Sequence, residues 1–540
     1  MKNDHPTSVR TAVIEIMREL GMTTLFGNPG STELEFLHDW PQDIRYVLGL
    51  QESVVVAMAD GHAQATGRAA MVNLHSAAGV GHALGSIYTA FRNQTPLVIT
   101  AGQQSRSLLP YRPFLGATQA TEFPRPYVKW SCEPARAEDV PLALRQAHAI
   151  AMQRPRGPVF VSIPSDDWHR DTLPVRGAPP ASDGGADQSV LSGMAARLAS
   201  ARRIALAFGA GVARDGARNR AVELAERLGA DAFAAPIPSR SVFDETHPLY
   251  RGVLPAVPEP LFKILSSYDA VLVVGAPAFT FHIPGDMAGS AYLDGMMHIT
   301  DDPDTAASSL ADTVLIAAPG AALGGLLDLV PAAAAAHGPA AAASRRVATP
   351  DEPAAAEMSA RHVVSRMAAH LPARCAVVEE APSHKEIIQA QRMFGPDREY
   401  FAMASGGLGF ALPAAVGIAA SGRFDRVVCL AGDGSAMYTI QALYAAARMR
   451  LDVSFLILNN EGYGAMRAFS RLMKGSGAPG IDLPGLDFAA MAQGYGLPGL
   501  TVTQAADVDA ALAESFSRSG PSLVDFRVDA GVSALYGVED

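Results

Sequence analysis

The apolar run Val427-Val428-Cys429-Leu430-Ala431 stops at Gly432-Asp433-Gly434-Ser435, and about two dozen residues later a second run, Leu456-Ile457-Leu458, stops at Asn459-Asn460. Short buried strands that end in polar turns point to a parallel sheet whose ligand chemistry gathers at the strand ends. The spacing suits a metal-bound diphosphate. Hard cations such as Mg²⁺ or Ca²⁺ take oxygen ligands, and Asp433 offers a carboxylate, Asn460 an amide oxygen and the turn near Gly462 a backbone carbonyl. Gly432 and Gly434 let backbone N–H groups approach phosphate oxygens, and a helix expected to start near Met437 would aim its positive end at the same anion. Gly-Asp-Gly alone is a weak signal that also fits an ordinary strand–turn pair. Between a buried strand and a helix, with a second strand ending in Asn-Asn, it becomes specific.

A chain of 540 residues that is 49% apolar is long enough for about three domains with their own cores. Two stretches break the regular pattern: residues 173–189, rich in Pro, Gly and Asp, and residues 331–357, rich in Ala and Pro; both read as linkers. The blocks they separate alternate short β-branched runs with amphipathic stretches, the mark of parallel sheets covered by helices. The expected fold is therefore α/β, with three consecutive doubly wound parallel-sheet domains over residues 1–175, 190–330 and 356–540. A formal charge of −11 argues against a nucleic-acid or anionic-membrane surface. Cys132, Cys375 and Cys429 are too few and too scattered for a disulfide framework or a zinc site, and a reducing cytoplasm fits them. The first residues lack the apolar core of a signal peptide, and no apolar run is long enough to span a bilayer.

In the first block, strands are expected at residues 23–26, 46–50 and 70–74, each followed by a polar residue before a helix: Ser31, Glu52 and His75. Successive strand ends deliver those side chains to one crevice. His75, before the turn Ser76 to Gly79, could transfer protons near neutral pH, and Ser31 could instead be a helix N-cap. In the middle block, Ile204 to Phe208 followed by Gly209-Ala210-Gly211 imitates a dinucleotide fingerprint. Its third glycine is misplaced and the expected acidic residue is missing, so a structural, empty domain is the favoured reading.

These motifs resemble those of the thiamin diphosphate (ThDP) enzymes, over essentially the whole chain, and among them the benzoylformate decarboxylases. The residues that carry the resemblance are Phe26-Gly27-Asn28-Pro29-Gly30-Ser31, Leu50-Gln51-Glu52, Asn73 to Gly79, Gly406-Gly407-Leu408-Gly409-Phe410-Ala411-Leu412-Pro413 and Asn459-Asn460-Glu461-Gly462-Tyr463-Gly464. The resemblance implies that Glu52 protonates the aminopyrimidine ring, and the apolar run Val54 to Met58 would favour its protonated form. It implies His75 and His282 as proton-transfer groups and Ser31 as the contact to a substrate carboxylate. Asn28, Pro29 and Gly30 fall on the cofactor side. Gly406 supplies a carbonyl to the aminopyrimidine, and Leu408 is the wedge beneath the bent cofactor. Ser383 and Ser435 are the candidate phosphate donors, although Pro382 stands where the family has a hydroxyl residue. Tyr463, Gly464, Ala465 and Met466 complete the cofactor set.

Around the substrate the match loosens. Ala465 and Phe469 fit, Met466 replaces a leucine, and Ala402-Met403 falls where a Phe-Cys pair is expected, unless one inserted residue puts Phe401 there. Phe114 and Leu115 would narrow the pocket. The implied activity is ThDP- and Mg²⁺-dependent (or Ca²⁺-dependent) nonoxidative decarboxylation of a 2-oxo acid, with benzoylformate the leading candidate. A ThDP-dependent carboligase of the acetolactate synthase type is the alternative, and a noncatalytic binding subunit a remote one. The resemblance also implies at least a homodimer, and beyond it a dimer of dimers, with the first domain of one chain facing the last domain of another. The only other partner expected is the small-molecule 2-oxo acid.

Overall fold

The computed structural model describes residues 6–175, 177, 185–285, 287, 294–331, 358–475 and 477–531. Part of the first expected linker, at 176 and 178–184, and nearly all of the second, at 332–357, lie outside these residues. Among the described residues there are three six-stranded parallel sheets, one in each expected domain, as the alternating sequence pattern requires. A two-stranded antiparallel pair, Thr7–Ser8 with Asp171–Thr172, ties the start of the first domain to its end.

The first sheet runs, edge to edge, Arg45–Leu48, Thr24–Gly27, Ala70–Leu74, Leu97–Gln103, Val159–Pro164 and Ser131–Cys132. The third sheet repeats that order with Arg398–Ala402, Cys375–Glu380, Arg426–Gly432, Val453–Asn459, Ser522–Arg527 and Gly499–Val502. In both, the first strand of the sheet lies between the second and the third, so the connections leave in opposite directions and open a crevice beyond the strand ends. Asn28 to Ser31, Glu52 and His75 follow strands that border the crevice of the first sheet; Ser383, Asp433 and Asn460 follow the equivalent region of the third. The middle sheet has the doubly wound order Tyr250–Val253, Asp231–Ala234, Ile204–Phe208, Ala270–Val274, Met297–Thr300 and Thr313–Ile316. Its Gly209 and Gly211 press against the backbone at Gly275, which is a packing role for the fingerprint-like turn.

Strands such as Ala70–Leu74 and Val453–Asn459 are buried along their whole length, as expected where helices cover both faces of a parallel sheet. The strand expected over 46–50 ends earlier, at Leu48, because the chain must turn for Gln51 to cap the next helix, accepting from the N–H groups of Ser53 and Val54. The helix expected near Met437 in fact ends there: it spans Asp433–Met437 with Gly432 as its N-cap, and a second helix, Ala442–Met449, follows. No helix of the described residues is long and apolar enough to cross a membrane.

One core cluster joins the first and third domains across the helices Glu52–Thr66 and Ala411–Ala420. Val54, Val55, Val56 and Met58 are fully buried, and each such side chain contributes roughly 1.5–3 kcal/mol. The helices touch backbone to backbone: a Cβ on Gly61 would lie 2.3 Å from Ala414 O, and one on Gly417 only 1.8 Å from Met58 O. Neither partner is a flexible side-chain end that could move aside. Gly417→Ala should therefore destabilise the protein by at least about 1–3 kcal/mol, the usual cost of overpacking. An unchanged urea midpoint for that variant would show that the crossing is looser than described.

Candidate active site

Glu52 opens its helix, and burial leaves its side chain two polar contacts: Asn28 Nδ2 donates to Oε1 at 3.3 Å, and His82 Nδ1 lies 3.1 Å from Oε2. The strand end at Asn28 and the helix start at Glu52 thus converge as the sequence predicts. His82, on the helix Ser76–Arg92, was not anticipated, because no local motif marks it.

The second unanticipated residue is Glu33, which is 1% exposed. Its Oε2 accepts from Gly30 N at 3.0 Å and faces His75 Nδ1 at 2.8 Å, while Oε1 accepts from Gly102 N at 2.9 Å and Thr32 Oγ1 at 2.7 Å. A carboxylate can only accept, so it places the ring N–H on Nδ1 and turns Nε2 of His75 outward. Gly30 is required by this packing, since a Cβ there would sit 2.0 Å from His75 Nδ1. No local motif marks Glu33: the helix begins only at Leu34, so its bond to Gly30 N is not a capping box, and its other partners come from distant segments. Ser31 is exposed and makes no hydrogen bond among the described residues; its alternative role as an N-cap is lost, because the helix begins at Leu34 with Glu33 at the cap position. His75 is likewise followed by a helix from Ser76, and not by a turn.

In the third domain Asp433 is 1% exposed, and its two oxygens accept from Gly434 N and Gly462 N, both at 2.8 Å. It forms no ion pair among the described residues, and burial pushes its carboxyl up to about 6. Asn460 is buried with Nδ2 unpartnered. Gly464 leaves room beside that amide: a Cβ there would lie 2.7 Å from both Asn460 Nδ2 and Ser383 Oγ. Ser383 Oγ in turn accepts from Ala465 N at 2.9 Å. The described residues hold no cluster of three or more His, Cys, Asp or Glu side chains. The Asp433 carboxylate, the Asn460 amide oxygen and the Gly462 carbonyl suit a hard, oxygen-seeking cation that completes its shell with phosphate oxygens, while the unpartnered Asn460 Nδ2 is a donor for a phosphate oxygen. Tyr463 closes over this turn, its ring lying against Gly434.

The loop of Gly406 and Leu408 is held from both ends. Glu380, buried, accepts from the N–H groups of Gly409, Phe410 and Ala411 at 2.6, 2.8 and 2.6 Å. From the first domain, Asn93 Oδ1 accepts from Ala404 N at 2.8 Å, and Thr89 and Ser405 hydroxyls meet at 2.9 Å. Gly406, at φ +76°, is exposed and Leu408 partly so.

Of the expected pocket residues, Phe114 and Met466 are exposed and Leu115 is anchored through its carbonyl by Ser76 Oγ. His282 of the middle domain meets Phe469 of the third, ring centroids 5.1 Å apart. Ala402 requires a correction. It is fully buried in the core with Tyr400 and Leu430, so it does not line a substrate pocket. Phe401 is no replacement, since its ring lies in the core with the Arg240 guanidinium 4.3 Å above it. Met403, partly buried, packs against the core shared by the first and third domains. Within one chain no hydrogen bond, ion pair or ring contact links the Glu52–His75 group to the Asp433–Asn460 group among the described residues.

Three family models match in order along the chain: the N-terminal TPP binding domain of thiamine pyrophosphate enzymes at residues 7–122, the central domain at 191–326 and the C-terminal TPP binding domain at 383–526. The chain is 40% identical to a benzoylformate decarboxylase of Pseudomonas aeruginosa, an alignment covering 96% of this chain and 98% of that one. A thiamine diphosphate-dependent 4-hydroxybenzoylformate decarboxylase of Rhodococcus jostii superposes with a TM-score of 0.91 at 38% identity, over 98% of this chain and 100% of the other. A benzoylformate decarboxylase of Polynucleobacter necessarius gives a TM-score of 0.90 at 36% identity over the same shares.

A cation at Asp433 must displace the proton that burial favours. Below about pH 6 the carboxyl is protonated, so the apparent affinity of the metal-free protein for Mg²⁺ in the presence of ThDP should weaken as pH falls, approaching about tenfold per unit. Titration calorimetry between pH 5 and 8 measures this, and an affinity flat across that range would remove Asp433 from the site.

Proposed function

The chain belongs to the thiamine pyrophosphate enzyme family, and we propose that within it this protein is a nonoxidative decarboxylase of an aryl 2-oxo acid, with benzoylformate the leading compound. The observation that carries the reading is the His75–Glu33 pair, which fixes a proton-transfer atom, with Gly30 packed on the His75 ring and the exposed Ser31 next in the chain as a donor for a carboxylate. The names of the relatives point the same way. ThDP, when bound, supplies a nucleophilic carbon and an electron sink for the loss of CO₂. The reading assigns the diphosphate and a Mg²⁺ ion to Asp433, Asn460 and the Gly462 carbonyl, with Gly432, Gly434, Ser435, Ser383, Tyr463 and Gly464 around them. Glu52, oriented by Asn28, handles the proton at the pyrimidine ring. Gly406 and Leu408 present a carbonyl and an apolar edge to that half of the cofactor. Ser31 donates to the substrate carboxylate, and Nε2 of His75 delivers a proton, with His282 as a second proton carrier held against Phe469.

The working unit is at least a homodimer, with pairing into a tetramer. Supporting this are the absence, among the described residues, of a direct bond between the two site halves in one chain and the exposure of Tyr111 (81%) and Phe114 (86%), large rings that favour burial against another surface. A carboligase would share every residue of the cofactor site and differ in what captures the product carbon.

Glu52→Gln keeps the shape and removes the acidic proton, so turnover should fall by roughly 10²-fold or more, the usual scale for general acid–base groups. Exchange of the thiazolium proton, followed by NMR in the ThDP-loaded protein, should slow with it. Exchange at the wild-type rate would clear Glu52 of that role.

Benzoylformate should give benzaldehyde and CO₂, with little hydroxy ketone at low aldehyde concentration. Ser31→Ala should act mainly by raising KM, because it removes a contact made already in the ground state, whereas His75→Ala should lower kcat. Hydroxy ketone formed from pyruvate, with no aldehyde released from any aryl 2-oxo acid, would replace this reading with the carboligase.

A further inference from the structure

Away from the strand ends that carry the active site, a cavity of about 530 Å³ lies where all three domains meet. Five arginines line it: Arg156 from the first domain, Arg214, Arg218 and Arg240 from the middle one, and Arg423 from the third. Their charge is poorly answered. Among the described residues Glu399 alone pairs with lining arginines, bridging Arg423 and Arg240, the latter at 3.5 Å. The other acids on the wall are engaged elsewhere: Glu223 with Arg227, Glu226 with His247, and Asp244 with the N–H and hydroxyl of Thr246. Among the described residues Arg214 donates only to the amide oxygen of Gln94 and Arg218 only to the carbonyl of Gly395, while Arg156 makes no hydrogen bond and its Nε is buried without a partner. Arg240 is 7% exposed, and its Nε is also unpartnered.

Unpaired buried charge is costly, and a cluster of like charges more so. Burial holds Arg214 and Arg240 below their usual range, Arg240 at about 10; nearby Asp301 and Asp215 for the one and Glu399 for the other oppose it in part, and the neighbouring arginines add to it. An anion would relieve both effects. Guanidinium forks match phosphate oxygens two at a time, and the volume lies within the roughly 300–1,000 Å³ of small-molecule sites, far more than one phosphate needs. We propose that this three-domain cavity binds a small metabolite carrying at least two phosphate groups, held by Arg156, Arg214, Arg218 and Arg240.

The test uses enzyme loaded with ThDP and Mg²⁺, so that the diphosphate site is filled, in a phosphate-free buffer. Glucose 1,6-bisphosphate is the probe, with inorganic phosphate and succinate as comparisons, and binding is followed by calorimetry and by the shift in Tm. The bisphosphate should bind saturably and at least tenfold more tightly than either comparison. Arg156→Gln should weaken it at least tenfold while leaving kcat on the 2-oxo acid unchanged, and Arg214→Gln should do the same. Should Arg214→Gln fail to fold, Arg156→Gln decides alone, since its guanidinium holds no structural bond. No saturable binding to the wild type, equal binding by succinate, or undiminished binding by Arg156→Gln would each overturn the assignment.

Discussion

The backbone contact between Glu52–Thr66 and Ala411–Ala420 is the constraint on which the rest of the molecule leans. Because Gly61 and Gly417 carry no side chain, two helices from domains separated by hundreds of residues share one dry core. The first helix then serves both ends of the site. It starts at Glu52, and further along it Asp60, fully buried, accepts from Gln64, Asn93 and Thr95. Burial alone would make that carboxylate expensive, and three donors offset the cost. Asn93, fixed in this way, uses its other amide atom to hold Ala404, so the loop of Gly406 and Leu408 is positioned by a residue of the first domain.

Buried carboxylates recur as organisers. Glu33 gathers two backbone N–H groups, a hydroxyl and an imidazole; Glu380 gathers three consecutive N–H groups at the start of a helix, where the helix dipole also favours a negative charge. For Glu380, burial pushes the carboxyl up to about 7 against the pull of those bonds. In both cases a single side chain collects backbone from distant turns, which makes the loop geometry stiff without secondary structure. Stiffness of this kind suits loops that must present a cofactor and a substrate at fixed distances.

The middle domain contributes differently. Its glycine turn is consumed by packing against Gly275, while its outer helix, Arg218–Leu228, and the segment at Arg240 turn arginines toward the other two domains. From it His282 meets a third-domain site residue, Phe469.

Much of this was legible in the chain. Strands were recognisable because parallel sheets covered on both faces need unbroken apolar runs, and the polar residues following Phe26, Leu50, Leu74 and Ala431 marked the ends where ligands collect. Asp433, Asn460, Glu52 and His75 were found because their chemistry depends on local motifs. Glu33 and His82 escaped, since what makes them matter is a neighbour brought close by folding, at Gly102 and His75 for the one and Glu52 for the other. Ala402 misled for the same reason: linear position gave no sign of which sheet face it would occupy. The sequence by itself determined the domain count, the sheet type and the chemical groups at the strand ends, because these follow from periodicity and residue type over short windows. Only the tertiary structure decided which nitrogen of His75 is tied, which core Phe401 fills and where five arginines converge, because side-chain direction and long-range proximity arise from packing between segments far apart in the chain.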